Sequence, residues 1–385
     1  MSLPQPSAEQ QVIQNDVIAG HSVVVNAVVG AGKSTACFQI AAALRESCVA
    51  QGQPERGKSL LLCFNASLQA DTEIRVRSLG MSDFIHCFTV HGMMTRMFKT
   101  VVPGVGTMQT LIKNYQHKPE TRDGVEKCDY DLCFIDEAQD LDQDMVNFVR
   151  ILQHQNIFTD LQFVVVGDER QEIYTFNRTA SVDILRRPAW WLTTPPEMQW
   201  RSRALKQSFR LTPNMCTFIN THFPPPVLPD GTLATIEPGN LTSPNNRVQF
   251  VVGNSSAGHL LTLVLRLLDQ FKPEGMMILV PSVNAFVCQD LRLKLAATHA
   301  RPVFCTAQNT AGGKLEELVK GKVIISSFHQ SKGLERPCVL VFNIGGAYQD
   351  LWSREKNPLH VALTRARQQL VIYQEFNEPR LSAFE

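Results

Sequence analysis

Ser22 to Val28, a β-branched run, passes into Gly30-Ala31-Gly32-Lys33-Ser34-Thr35 and then into a helix-forming stretch, Ala36 to Arg45. No other segment restricts the fold as much. A buried strand that stops at paired glycines and restarts as a helix gathers backbone N–H groups and a helix N-terminus at one point, where they can surround a phosphate. Lys33 is then set to reach phosphate oxygens and Ser34 to ligate magnesium. The strict pattern wants glycine where Ala27 stands, so on this segment alone an ordinary glycine-rich turn with a solvated lysine stays open.

Seven more short apolar runs follow: Leu60 to Phe64, Asp131 to Ile135, Gln162 to Val166, Met277 to Val280, Val323 to Ser326, Val339 to Phe342 and Leu370 to Tyr373. Their length and near-continuous apolar character fit strands buried on both faces of parallel sheets, with helices between them. The alternation occurs twice, which predicts an α/β chain of two halves, 1–195 and 196–385, divided in the Pro- and Trp-rich stretch near 190–206. Trp190 and Trp191 are left between linker packing and a partner site.

Composition narrows the class. A chain of 385 residues, 44% hydrophobic and 19% charged, is globular and long enough for more than one core. Lysine and arginine total 37 against 36 acids, so phosphate contacts must come from local patches. Ten cysteines stand as singles without a CxxC pair, which reads as reduced thiols in an intracellular protein. No basic-then-apolar leader opens the chain and no run approaches the ~18 apolar residues of a membrane span, so a soluble protein is expected.

Leu132 to Ile135 delivers Asp136-Glu137-Ala138-Gln139-Asp140 at the carboxyl end of a buried strand, the edge where open α/β sheets bind ligands. Asp136 suits water-mediated magnesium binding, and Glu137 suits orienting and deprotonating a water. Helix capping accounts for Asp140 better than for Glu137. The next strand runs into Gly167-Asp168-Glu169-Arg170-Gln171-Glu172-Ile173-Tyr174.

Together these segments resemble the UvrD/Rep group of superfamily 1 helicases, and within it the short-insert F-box DNA helicases look closest. Pro6 to Ile13 resembles the Q motif, with Gln10 as the adenine-reading amide. Cys63 to Leu68 and Phe88 to Met93 resemble the loops that touch single-stranded DNA, and Gly167 to Tyr174 resembles motif III, with Gln171 on the γ-phosphate. Gln207-Ser208-Phe209-Arg210 resembles motif IV, with Phe209 stacking on adenine and Arg210 facing the γ-phosphate. Ser327 to Glu335 resembles motif V, bringing Gly333 to the nucleotide, Glu335 to the ribose and His329 to the strand. Val361 to Ala366 resembles motif VI, with Arg365 as an arginine finger.

The resemblance implies two RecA-like P-loop NTPase domains with mostly parallel sheets, ATP and magnesium as cofactors, and 3′ to 5′ movement on single-stranded DNA, with RNA left open. ATP would bind in the cleft between domains. Residues Gln10, Ala27, Gly30, Ala31, Gly32, Lys33, Ser34, Thr35, Phe209, Arg210, Gly333, Glu335 and Arg365 would bind it. Lys33, Glu137, Gln171, Arg210 and Arg365 would carry catalysis, and Ser34 and Asp136 the metal. Phe64, Asn65, His91, Tyr174 and His329 would meet nucleic acid, although core packing competes for Phe64 and Phe176. The face bearing Arg75 and Arg77 reads as solvated or as a phosphate track, and His117, His154 and His299 as surface residues.

Three departures stand out. Thr35 and His360 replace the family's usual Arg and Tyr. From Lys99 to Tyr130 and from Leu211 to Gly321 there is too little chain for the large 1B and 2B domains, leaving at most a 1B remnant near 100–130 and a possible need for a protein partner or self-association in unwinding. The competing readings are a nucleotide-gated binding module or scaffold without motor activity, and a small-molecule kinase, which would leave the second half unexplained.

Overall fold

The computed structural model describes residues 2–173, 183–228, 231–239, 247–253, 257–298, 303–304, 320–342 and 356–375. They form two compact units, one of Met1–Val28, Gly32–Leu205 and Val227–Ala234, the other of Val29–Ala31, Lys206–Pro226 and Thr235–Glu385.

The first unit runs α1 (Ala8–Ile18), β1 (Ser22–Ala27), α2 (Lys33–Ala50), β2 (Ser59–Cys63), α3 (Ala66–Ser78), β3 (Ile85–Thr89), α4 (Val90–Phe98) and α5 (Val105–His117). It continues with β4 (Leu132–Ile135), α6 (Gln143–Gln155), β5 (Gln162–Gly167), the short α7 (Asp183–Arg186) and α8 (Pro188–Trp191), and β6 (Trp200–Leu205). The strands form one sheet in the order β3-β2-β4-β5-β1-β6, and every pairing is parallel. The sheet thus continues past residue 195, because β6 pairs with β1 from Ser22↔Trp200 to Ala27↔Leu205.

The second unit holds β7 (Gln207–Ser208), α9 (Pro213–His222), β8 (Glu237–Pro238), β9 (Arg247–Gly253), α10 (Ala257–Phe271), β10 (Met276–Val280) and α11 (Phe286–Ala296). Then come β11 (Val303–Phe304), β12 (Ile324–Ser327), β13 (Arg336–Phe342), α12 (Lys356–Leu363) and β14 (Ala366–Glu375). Its main sheet has the order β11-β12-β10-β13-β14-β9, again parallel throughout, and β7 and β8 pair separately. The protein is therefore α/β, with parallel sheets flanked by helices, as the alternation of runs predicts.

The order of the first sheet positions the site. β4, β5 and β1 are consecutive neighbours that run the same way, so the loops after Ala27, Ile135 and Gly167 leave the same edge. Beneath that edge lies a core in which Ile135, Phe148 and Phe163 are almost wholly buried, and α5 adds Met108, Ile112 and Tyr115 to it. The stretch read as a possible accessory remnant thus contributes a helix to the first core. Asp142, not Asp140, caps α6, accepting the Met145 N–H at 2.8 Å; Asp140 is buried instead, because a 3-10 turn over Ala138–Asp140 precedes the helix.

Trp190 is 66% exposed beneath the Arg187 guanidinium, whereas Trp191 packs against the first core. Arg150 ties both down by donating to their backbone carbonyls. The second core is separate and is built on Ile278, Ile325, Leu340 and Val371.

Phe163 lies in mid-sheet with no exposure and stacks on Trp200 with ring centroids 6.4 Å apart. Phe163→Ala is expected to cost about 3–5 kcal/mol, the usual loss for a buried aromatic that leaves a cavity. Urea unfolding followed by circular dichroism should show an early transition for part of the chain, since the second unit has its own core.

Candidate functional site

The helix after the P-loop begins without a side-chain cap: Gly32 occupies the N-cap position at φ 74°, and no acidic residue stands in the first turn. The first N–H groups of α2 therefore have no intrahelical partner, which makes this end an anion receptor. Ala27 and Ala31 are buried, and Ser34 and Thr35 follow Lys33 in the first turn. Gly30 has φ 70°, and a Cβ there would sit 2.5 Å from Arg210 Cβ, so neither backbone nor space admits a side chain. Its carbonyl accepts the Phe209 N–H at 2.9 Å, and all three residues lie in the second unit.

Lys33 Nζ stands 3.2 Å from Glu137 Oε1, with the two side chains 13% and 18% exposed. Burial alone would lower the lysine pKa, but the carboxylates of Glu137, Asp136 and Asp168 outweigh it and raise the pKa above the ordinary value. The ammonium stays charged across the neutral range. Glu137 adopts left-handed backbone, φ 52° and ψ 42°, a conformation that costs a non-glycine residue about 1 kcal/mol. The turn aims its side chain at Lys33, and its N–H donates to Asp136 Oδ1 at 2.9 Å.

Two residues to which the sequence assigned no role complete this arrangement. Gln139 donates to Glu137 Oε2 at 2.5 Å and accepts the Asp168 N–H at 3.1 Å. Asp168 Oδ2 in turn accepts from Gln171 Nε2 at 2.8 Å. Lys33, Asp136, Glu137 and Gln171 are thus brought into one polar cluster, and the only sequence signal for Gln139 was its position two residues after Glu137.

Ser34 and Asp136 are hard oxygen donors of the kind magnesium takes while keeping water and phosphate oxygens. The fit rests on charge, since three carboxylates act on a single buried ammonium. Among the described residues no group of three or more His, Cys, Asp or Glu forms a closed metal site, so the other donors would be phosphate and water.

Other candidates sit apart. Gln10 closes a capping box, its Oε1 accepting the Ser7 N–H at 2.9 Å while Ser7 Oγ accepts the Gln10 N–H. Thr35 accepts from Arg75 at 3.1 Å, and Arg77 pairs with Glu73 on an exposed face. Phe64 packs against the first core, Asn65 caps α3, and His91 lies in the first turn of α4. His154, exposed, meets the Tyr115 hydroxyl at 2.6 Å, and His117 is exposed.

In the second unit, Glu335 pairs with Arg210 at 2.6 Å and also with Arg367. Phe209 is 47% exposed, Gly333 has φ 84°, and His329 opens a short turn after β12. Arg365 is only 2% exposed and donates from Nε to the Val361 carbonyl at 2.8 Å. Tyr174, Phe176 and His299 lie outside the described residues.

Two family models match the chain, an AAA domain over residues 10–177 and a UvrD-like helicase C-terminal domain over residues 322–373. The chain belongs to the UvrD/Rep-like superfamily 1 helicases. No curated protein gives a match. The helicase is thus a nucleotide-binding P-loop NTPase of a class that binds nucleic acid, and the AAA match takes in most of α1, the P-loop, the acidic turn and Gln171. No helix among the described residues is long and apolar enough to cross a membrane.

Removing the central charge should expose the carboxylates to one another. In Lys33→Met the pKa values of Asp136, Glu137 and Asp168 should rise in the folded state, because like charges lose their counter-ion. Acids whose folded pKa is raised destabilise the fold above that pKa and cease to do so as pH falls through it. The melting temperature of Lys33→Met should therefore lag the parent more at pH 8 than at pH 5.

Proposed function

We propose that this helicase hydrolyses ATP to translocate along single-stranded DNA in the 3′ to 5′ direction. The observation that carries the reading is the buried Lys33 ammonium held 3.2 Å from Glu137, a phosphate-binding cation beside a base. Lys33 and the open N–H groups of α2 hold the β and γ phosphates, Gln10 reads adenine through its Nε2, Phe209 stacks on the ring and Glu335 takes the ribose. Gly333, whose positive φ suits glycine, lets the backbone approach the nucleotide.

Glu137 orients the attacking water and accepts its proton as the water oxygen bonds to the γ phosphorus. Magnesium on Ser34 and Asp136 would supply charge neutralisation at the phosphates. Gln171, Arg210 and Arg365 stabilise charge growing on the γ-phosphoryl oxygens. Arg210 starts from its pair with Glu335 and Arg365 from the Val361 carbonyl, so both exchange partners before they act. Phe64, Asn65, His91, Tyr174 and His329 supply stacking faces and donors for a strand read without sequence choice.

Lys33→Ala should weaken nucleotide binding, whereas Glu137→Gln should leave binding and abolish turnover, because one contacts phosphate in the ground state and the other acts on the water. Equilibrium binding of a fluorescent ATP analogue beside phosphate release, titrated with single-stranded DNA and RNA, reads both steps and the preferred strand. Normal strand-stimulated hydrolysis by Glu137→Gln would remove it as the base.

Translocation should outrun unwinding. The stretches 99–130 and 211–321 leave little chain for accessory domains that would grip a duplex, while each advance opposes roughly 1.4 kcal/mol of base-pair stability. Streptavidin displacement from a biotinylated strand end should be efficient, and single-turnover opening of a tailed duplex by the monomer weak. Hydrolysis without displacement would favour a nucleotide-gated binding module.

A further inference from the structure

Gln139 is wholly buried, although its amide carries both a donor and an acceptor. Nε2 donates to Glu137 Oε2 at 2.5 Å, and Oε1 accepts the Asp168 N–H at 3.1 Å. Turning the amide over would set oxygen against carboxylate and NH2 against N–H, so the two partners fix its orientation. Glu137 is held from both sides as a result, Oε1 by Lys33 and Oε2 by Gln139.

The connection continues beyond the amide. Asp168 accepts the Arg170 N–H on Oδ1 at 3.0 Å and Gln171 Nε2 on Oδ2 at 2.8 Å, so the turn after β5 is tied through Gln139 to the turn after β4. The fit is close. A Cβ on Gly167 would lie 2.5 Å from Gln139 Oε1 and 2.8 Å from Leu185 Cδ1.

We infer that Gln139 is a positioning residue that couples the Asp168–Gln171 turn to the Glu137 carboxylate, so that the base is correctly aimed only when that turn is set. The inference rests on the reading of Glu137 as base and Gln171 as the γ-phosphate contact. Gln139 touches neither nucleotide nor water in this scheme. It fixes the plane of the carboxylate that does, and aim matters because displacements near 1 Å can cost about 100-fold in rate.

Gln139→Glu tests this directly, since it keeps the acceptor for the Asp168 N–H and the side-chain volume but sets a second carboxylate against Glu137. Expected are a fall in kcat of about 10- to 100-fold, ATP-analogue affinity within about threefold, and loss of most of the stimulation by single strands. Gly167→Ala should do the same by pressing on Oε1, and the double variant should be no slower than the worse single one, as for two lesions in one linkage. If Gln139→Glu does not fold, Gly167→Ala poses the question with every polar group retained.

A Gln139→Glu or Gly167→Ala protein with parental kcat and stimulation, beside an inactive Glu137→Gln, would overturn the coupling and leave the base in place. Loss of nucleotide affinity in step with kcat would overturn it too, by making Gln139 a merely structural support. Normal turnover by Glu137→Gln would instead remove the reading beneath the inference.

Discussion

Lys33 remains charged at 13% side-chain exposure only because Glu137 lies 3.2 Å away, with Asp136 and Asp168 acting on it beside Glu137. A lone buried ammonium would lose its proton, and unpaired buried carboxylates would gain one, so neither set is tolerable without the other. This mutual requirement explains the local backbone. Glu137 accepts left-handed dihedrals to face the lysine, Gly32 leaves α2 uncapped, and Gln139 bonds to neighbours through both its Nε2 and its Oε1. The parallel neighbours β4, β5 and β1 make the arrangement possible by ending together.

The second unit shows a different balance. There Glu335 is held by Arg210 and Arg367, and Arg365 is sunk against its own helix. Guanidinium groups so placed already have partners, and any further anion would have to compete with a carboxylate or a carbonyl for them. Lys33 and Glu137 in the first unit are paired with each other, whereas the arginines of the second are paired within their own unit.

The legibility of the fold divides along one physical line. Each of the eight apolar runs became an interior strand: β2, β4, β5 and β1 in one sheet, β12, β10, β13 and β14 in the other. The edge strands β3, β6, β11 and β9 were absent from that reading. An interior strand of a covered parallel sheet is apolar on both faces, but an edge strand meets water and takes polar residues, as β6 does with Arg201 and Arg203, the latter paired with Asp16. At the site, glycines, lysine and strand-end acids were legible because the loop chemistry demands them. The partners were not, because they come from afar: the N–H that Gln139 holds is 29 positions away, and the choice of Asp142 over Asp140 as a cap depended on an intervening 3-10 turn.

The order in which the strands pair also bears on synthesis. β1 is made early, yet the Ser22 hydroxyl waits for the Phe163 N–H, 141 positions later, and β6 follows later still. At roughly 5–20 residues per second on the ribosome, a Val-rich strand keeps both edges open for on the order of 10 s. β9, in the second sheet, waits for β14 at the far end of that unit. Such edges invite pairing with other chains. During that interval the nascent protein carries strand edges whose partners in both six-stranded sheets have not yet been made.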